Sequence, residues 1–79
     1  MRFDLKPDNR KSFYGKAQVE LEDNGAMVLL SYGAPIVRQY KDGTIKRLYK
    51  RELSQTTTRH LIAFCGLHKG DFEKLEFDE

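Results

Sequence analysis

"KAQVELEDNGAMVLLSY" (residues 16–32) carries the two signals that decide the fold. In its first half, Ala17, Val19 and Leu21 alternate with Lys16, Gln18, Glu20 and Glu22. A side-chain period of two places the apolar set on one face of a half-buried strand. Asp23-Asn24-Gly25 follows, and Asn-Gly tolerates the positive backbone angles of a tight hairpin. Residues 26–32 then read as a second, more buried strand.

Downstream, Gly33-Ala34-Pro35 interrupts the pattern. Pro35 has no N–H for a sheet ladder, so a turn or a strand start fits it best. "IVRQYK" (36–41) and "TIKRLYK" (44–50) flank Asp42-Gly43, a further hairpin signal, and supply a third and a fourth strand. Connections this short favour antiparallel neighbours and hence a meander.

"SQTTTRHLIAFCG" (54–66) loses the alternation. Ser54 can accept from an unpaired amide near Thr57, an N-cap role, and Gly66 can take the left-handed turn that ends a helix. Leu61, Ile62 and Cys65 lie at helical spacing, Phe64 widens that stripe, and Arg59 and Ala63 fall towards the other face. A helix over Gln55–Cys65 is expected to cover one face of the sheet. Its three threonines are poor helix formers, so it depends on tertiary packing. The tail "DFEKLEFDE" (71–79) reads two ways: Phe72 and Leu75 suit a helical turn, Leu75 and Phe77 a strand. The expected architecture is α+β, an antiparallel three- to four-stranded meander packed on one short C-terminal helix. It forms a single domain with an extended leader (1–12), a sheet-plus-helix core (16–66) and an acidic tail (71–79).

Seventy-nine residues suffice for one small domain with a thin core and little room for a deep cleft. The lone cysteine, Cys65, cannot form an internal disulfide, which suits a reducing compartment. "MRFDLKPDNRKS" is too charged for a signal peptide, and the longest apolar run, residues 26–30, is far short of a membrane span. A soluble cytoplasmic protein with no membrane partner is expected. The net charge of +2 hides an uneven distribution. Arg38, Lys41, Lys46, Arg47, Lys50 and Arg51 stand against Asp42 in the middle, while Asp71, Glu73, Glu76, Asp78 and Glu79 stand against Lys74 at the end. The basic middle suits either an anionic partner or the chain's own tail.

Chemistry-bearing constellations are sparse. Cys65 and His68 make half a zinc spacing, but a closed site needs four ligands. Cys65 and His60 point about 140° apart on one helix, too far to act as nucleophile and base. No catalytic residue, metal or cofactor is expected. With a two-residue Asp42-Gly43 loop, Tyr40 faces Ile45, Arg38 faces Arg47 and Ile36 faces Tyr49, all on one sheet face. Arginines between tyrosines suit phosphate contact and base stacking. A three-residue loop changes that pairing, and an ordinary solvated face is the plainer reading. The candidate partner or nucleic-acid residues are therefore Arg38, Tyr40, Lys46, Arg47, Tyr49, Lys50 and Arg51. Thr56, Thr57, Arg59 and His60 form a second, polar candidate on the first turns of the helix. The acidic tail could dock on a partner's basic groove, compete for an anion site, or fold back on the hairpin.

"SYGAPIV", "DGTIKRLY" and "SQTTTRHLIAFC" together resemble a group of small uncharacterised proteins of phages and mobile elements, especially of gut and lactic-acid bacteria. The matching positions are Ser31, Tyr32, Gly33, Asp42, Gly43, Arg47, Ser54, Thr56, Thr57, Arg59 and His60, within residues 16–66. Ala34 stands where that group has threonine. "YKRELS" replaces a shorter segment with a tryptophan and a glycine, and this chain has no tryptophan. The resemblance implies a phage-like origin and a sheet-plus-helix layout, and supplies no activity. The expected function is that of a small phage-type accessory protein binding a host or defence protein, as an anti-CRISPR-like stoichiometric inhibitor. The alternative is a nucleic-acid-binding module using hairpin 36–51, and behind it a small-ligand binder or an enzyme. The oligomeric state is open.

Overall fold

The computed structural model describes residues 1–5 and 15–78. Five antiparallel strands form one sheet in chain order: β1 (Arg2–Asp4), β2 (Ala17–Leu21), β3 (Met27–Ser31), β4 (Ala34–Gln39) and β5 (Ile45–Arg47). Two helices follow, α1 (Gln55–Cys65) and α2 (Lys69–Glu73). The expected meander and helix are present, with one more strand and one more helix than expected. The extra strand is the start of the leader: Phe3 pairs with Val19, and the Leu5 N–H donates to the Ala17 carbonyl at 2.9 Å. The rest of the leader, residues 6–12, and Glu79 of the tail lie outside the described residues.

The two glycine-bearing hairpin loops share one construction. The Glu22 N–H donates to the Ala26 carbonyl at 2.8 Å and the Gly25 N–H to the Glu22 carbonyl at 3.0 Å. The Tyr40 N–H donates to Thr44 at 2.7 Å and the Gly43 N–H to Tyr40 at 2.9 Å. Gly25 (φ 88°) and Gly43 (φ 95°) each close a three-residue loop in the left-handed region. The side chain before each, Asn24 or Asp42, accepts the amide two residues on. Between β3 and β4 the turn is tighter: Tyr32 (φ 53°) and Gly33 (φ 82°) both carry positive angles, as a two-residue hairpin loop requires.

One irregularity shapes the core. Leu29 pairs with Val37 and Leu30 with Pro35, so Ile36 is an extra residue in β4. Ile36 and Val37 are consequently both buried in one cluster with Leu29, Leu53, Leu61 and Phe72. The carbonyl of Ile36 accepts from both Leu48 and Tyr49, at 2.9 and 3.1 Å, which ties the chain leaving β5 to the bulge.

Helix α1 starts and stops as its sequence indicates. The Ser54 Oγ accepts from the Thr57 N–H at 3.1 Å, and Gly66 (φ 78°) donates to the Ile62 carbonyl. Its packed face is rotated from the expected one. Thr57, His60 and Leu61 are buried, with Phe64 and Cys65 half-buried beside them, whereas Ile62 is 38% exposed. This is an i, i+3, i+4, i+7, i+8 stripe that includes two polar residues. The tail takes part of each reading: its first half is helical, its second makes a single isolated bridge, and Leu75 lies in neither. Phe72 sits on α2 and is fully buried, while Phe77 forms a parallel bridge with Arg47 beyond β5. No helix among the described residues is long and apolar enough to cross a membrane.

Phe72 closes the core from the short α2 and is fully buried. Phe72→Ala is expected to cost about 3–5 kcal/mol, read as a lowered urea midpoint at unchanged slope. A loss well under 1 kcal/mol would show that α2 is not part of the cooperative core.

Candidate functional site

The three-residue loop moves β5 by one position against the expected pairing. Arg38 lies opposite Lys46, Gln39 opposite Ile45 and Val37 opposite Arg47. The expected Arg38–Arg47 and Tyr40–Ile45 pairs are not formed, and Ile36 and Tyr49 meet only through the bulge carbonyl, outside the strand pairing. A one-residue shift sends alternate side chains to the other face. Arg38, Tyr40 and Lys46 thus share the face away from the helices, and Arg47 turns towards the helix side, opposite buried Val37.

Each group then meets its own set of partners. The Arg38 Nε and Nη2 donate to the two Glu22 carboxylate oxygens at 2.9 and 3.2 Å, a bidentate pair, while Nη1 donates to Asp78 Oδ2. The Tyr40 hydroxyl donates to the same Asp78 oxygen at 2.7 Å. Bonds from Tyr40 and Arg38 hold the Asp78 carboxyl below its ordinary range. The same carboxylate, by accepting a hydrogen bond from the Tyr40 hydroxyl, pushes the phenol pKa up, and it strengthens the hold of Arg38 on its charge. Lys46 Nζ lies 3.4 Å from Glu76, which is itself exposed. A shallow cleft of about 380 Å³ opens beside this cluster, lined by Glu22, Asp23, Asn24, Arg38 and Tyr40.

On the other face, the Arg47 guanidinium stacks between two rings, 4.4 Å from the Phe72 centroid and 4.8 Å from that of Phe77. Its Nε donates to the Tyr49 carbonyl at 2.8 Å. Tyr49 itself is half-buried against the core. Of the seven hairpin residues, three therefore converge on the tail, two face inward, and Lys50 and Arg51 remain exposed. The tail completes the arrangement through its backbone: the Arg47 N–H donates to the Glu76 carbonyl at 2.8 Å and the Asp78 N–H to the Arg47 carbonyl at 2.9 Å. Composition pointed to tail and hairpin as oppositely charged, and the structure joins them.

The polar helix residues divide in the same way. Thr56 and Arg59 face solvent, while Thr57 and His60 are buried. The Ser31 Oγ lies 2.9 Å from Thr57 Oγ1 and 2.8 Å from His60 Nδ1, and Ser54 donates to Thr57 at 3.1 Å. Tyr32 packs its ring 5.8 Å from that of His60. Ser31 is the partner that sequence reasoning missed, although the resemblance motif contains it. The Ser31–His60 distance is one a nucleophile and base would use. Here both residues are almost wholly buried, at 3% and 1% exposure, so a substrate has no direct approach to the pair. Among the described residues, no buried side-chain polar atom is left without a hydrogen bond. This cluster joins α1 to β3. Cys65 donates its thiol to the Leu61 carbonyl, and burial pushes its pKa up, against a reactive role. No group of three or more potential metal ligands assembles among the described residues.

The chain belongs to a family of unknown function, DUF8033, whose model matches residues 3–79. No curated protein and no solved structure matches it.

Burial, helped by the Lys16 ammonium, holds the His60 pKa below its ordinary value of 6.5. The folded state resists a proton that the unfolded state accepts, so stability falls as pH drops below the ordinary histidine value. Urea midpoints are expected to decline between about pH 7 and pH 5, and His60→Asn to flatten that slope. Asp78, Asp42 and Glu20 are held below their ordinary values and act only at lower pH. Equal slopes in the two proteins would remove His60 as the acid-sensitive element.

Proposed function

We propose that this chain is a small accessory protein of phage type. It binds a host or defence protein in the host cytoplasm, as a stoichiometric inhibitor in the anti-CRISPR manner. The observation that favours a protein partner over nucleic acid is the state of the basic hairpin. Nucleic-acid affinity comes largely from cations that displace counterions from phosphate. Arg38 already faces Glu22 and Asp78, Lys46 faces Glu76, and Arg47 lies between Phe72 and Phe77. Lys41, Lys50 and Arg51 are the exposed cations left on the hairpin.

The remaining surface suits a protein interface better. Tyr32 is 58% exposed, and aromatic side chains of this kind anchor protein contacts. The small size of the domain and the resemblance of its Ser-Tyr-Gly, Asp-Gly and Ser-x-Thr-Thr-x-Arg-His elements to phage and mobile-element proteins support the proposed setting.

Fluorescence titration with labelled single- and double-stranded oligonucleotides tests the choice of partner class. Binding is expected to be weak, sequence-independent and gone near physiological salt. Tight binding that survives that salt, and is lost in Arg38→Ala/Lys46→Ala, would overturn the proposal in favour of the nucleic-acid reading. Capture from host lysate is expected to retain one stoichiometric protein partner after nuclease treatment, and to lose it in Tyr32→Ala.

A further inference from the structure

The outer edge of β5 holds an extended segment of the chain itself, residues 76–78. The segment Glu76-Phe77-Asp78 lies parallel to β5 and uses two backbone hydrogen bonds, both to Arg47. Its aromatic ring covers the Arg47 guanidinium. Its two carboxylates go to Lys46 on one side and to Arg38 with Tyr40 on the other. Backbone pairing supplies a generic hold, and the three side-chain positions supply selectivity, which is the logic of strand addition. An extended segment reading acidic–aromatic–acidic satisfies every position.

The occupant is peripheral to the fold. Phe72 is fully buried and anchors α2, whereas Phe77 is 45% exposed and the Glu76 side chain 84% exposed. The Asp78 side chain is more covered, 12% exposed in its pair with Arg38, but a two-bond strand with an exposed Lys46–Glu76 pair belongs to the part of a molecule that opens first. Opening it uncovers Arg38, Lys46 and Arg47 together with the unpaired amide and carbonyl of β5.

We infer that the β5 edge, with Arg38, Tyr40, Lys46 and Arg47, binds an extended acidic–aromatic–acidic segment of a partner protein, which residues 76–78 occupy in its absence. This rests on the protein-binding reading above and names its surface. The tail is then an intramolecular competitor, and it lowers the affinity for the partner segment by the fraction of time the edge is covered.

The probe is a fluorescein-labelled peptide, Leu-Glu-Phe-Asp-Glu, titrated into the full chain and into the full-length Phe77→Ser/Asp78→Ser variant. The variant is expected to bind at least about ten-fold more tightly than the unmodified chain. Adding Arg47→Ala is expected to abolish binding, and a peptide with lysines in place of the acidic residues is not expected to bind. Equal affinity in the two proteins, no binding by a variant whose thermal melt is intact, or a preference of the variant for a single-stranded oligonucleotide would each overturn the inference. If the variant does not fold, amide resonances of the unmodified chain decide. Excess peptide is expected to shift those of Arg47 and Asp78, and unchanged resonances would overturn the site. Tight nucleic-acid binding by the unmodified chain would remove the protein-binding reading itself. Failure of the peptide alone would remove only the edge site.

Discussion

The left-handed glycine at the end of the β4–β5 loop decides which way every side chain of β5 points. Gly43 makes the loop three residues long, and the strand register follows from that length. With one residue fewer, Arg47 would stand opposite Arg38 and Lys46 would turn to the helix side. With the register observed, Lys46 stands beside Arg38, and the guanidinium of Arg47 passes to the side where Phe72 closes the core. The tail can dock only because these cations are distributed over both faces of one edge. Carboxylates take the outer pair, and an aromatic ring takes the inner one.

A second constraint sits at the opposite end of the sheet. Ser31, the last residue of β3, offers one hydroxyl to two groups of α1, Thr57 and His60. Buried polar groups of this kind add little net stability when satisfied, but leaving one unsatisfied is expensive. They therefore favour one placement of α1 over others that would bury its apolar residues equally well. Ile62, exposed at the expense of His60, shows the outcome of that choice. Threonine, poor as a helix former, is useful here because its hydroxyl can be shared.

Local signals in the sequence translated well. The strand from Ala17 to Leu21, the Ser54 cap and the Gly66 stop each involve neighbours within a few residues, and each is found in place, although Leu21 at the strand end is exposed where the alternation placed it inward. Strand β1 escaped notice because three residues with charges at both ends carry no period long enough to detect. Asp42-Gly43 announces a hairpin but serves loops of two or three residues alike, so the face assigned to Arg47 was not legible. The partners of His60 and Arg38 lie far away in the chain, 29 residues to Ser31 and 40 to Asp78, and no periodicity reports such a distance. Opposite charge in the middle and the tail did report that the two could meet.

The order of the strands bears on how the chain reaches this state. Every strand pairs with its neighbour in sequence, so each hairpin closes a short segment before the next is added. Such a meander needs little long-range search, and chain topology then sets a fast route to the sheet. Residues 76–78 are the exception, because they pair with Arg47 across a stretch that contains both helices. They add to an edge that the β4–β5 hairpin provides. The covering of β5 is therefore a pairing, among the described residues, that local hairpin closure does not supply.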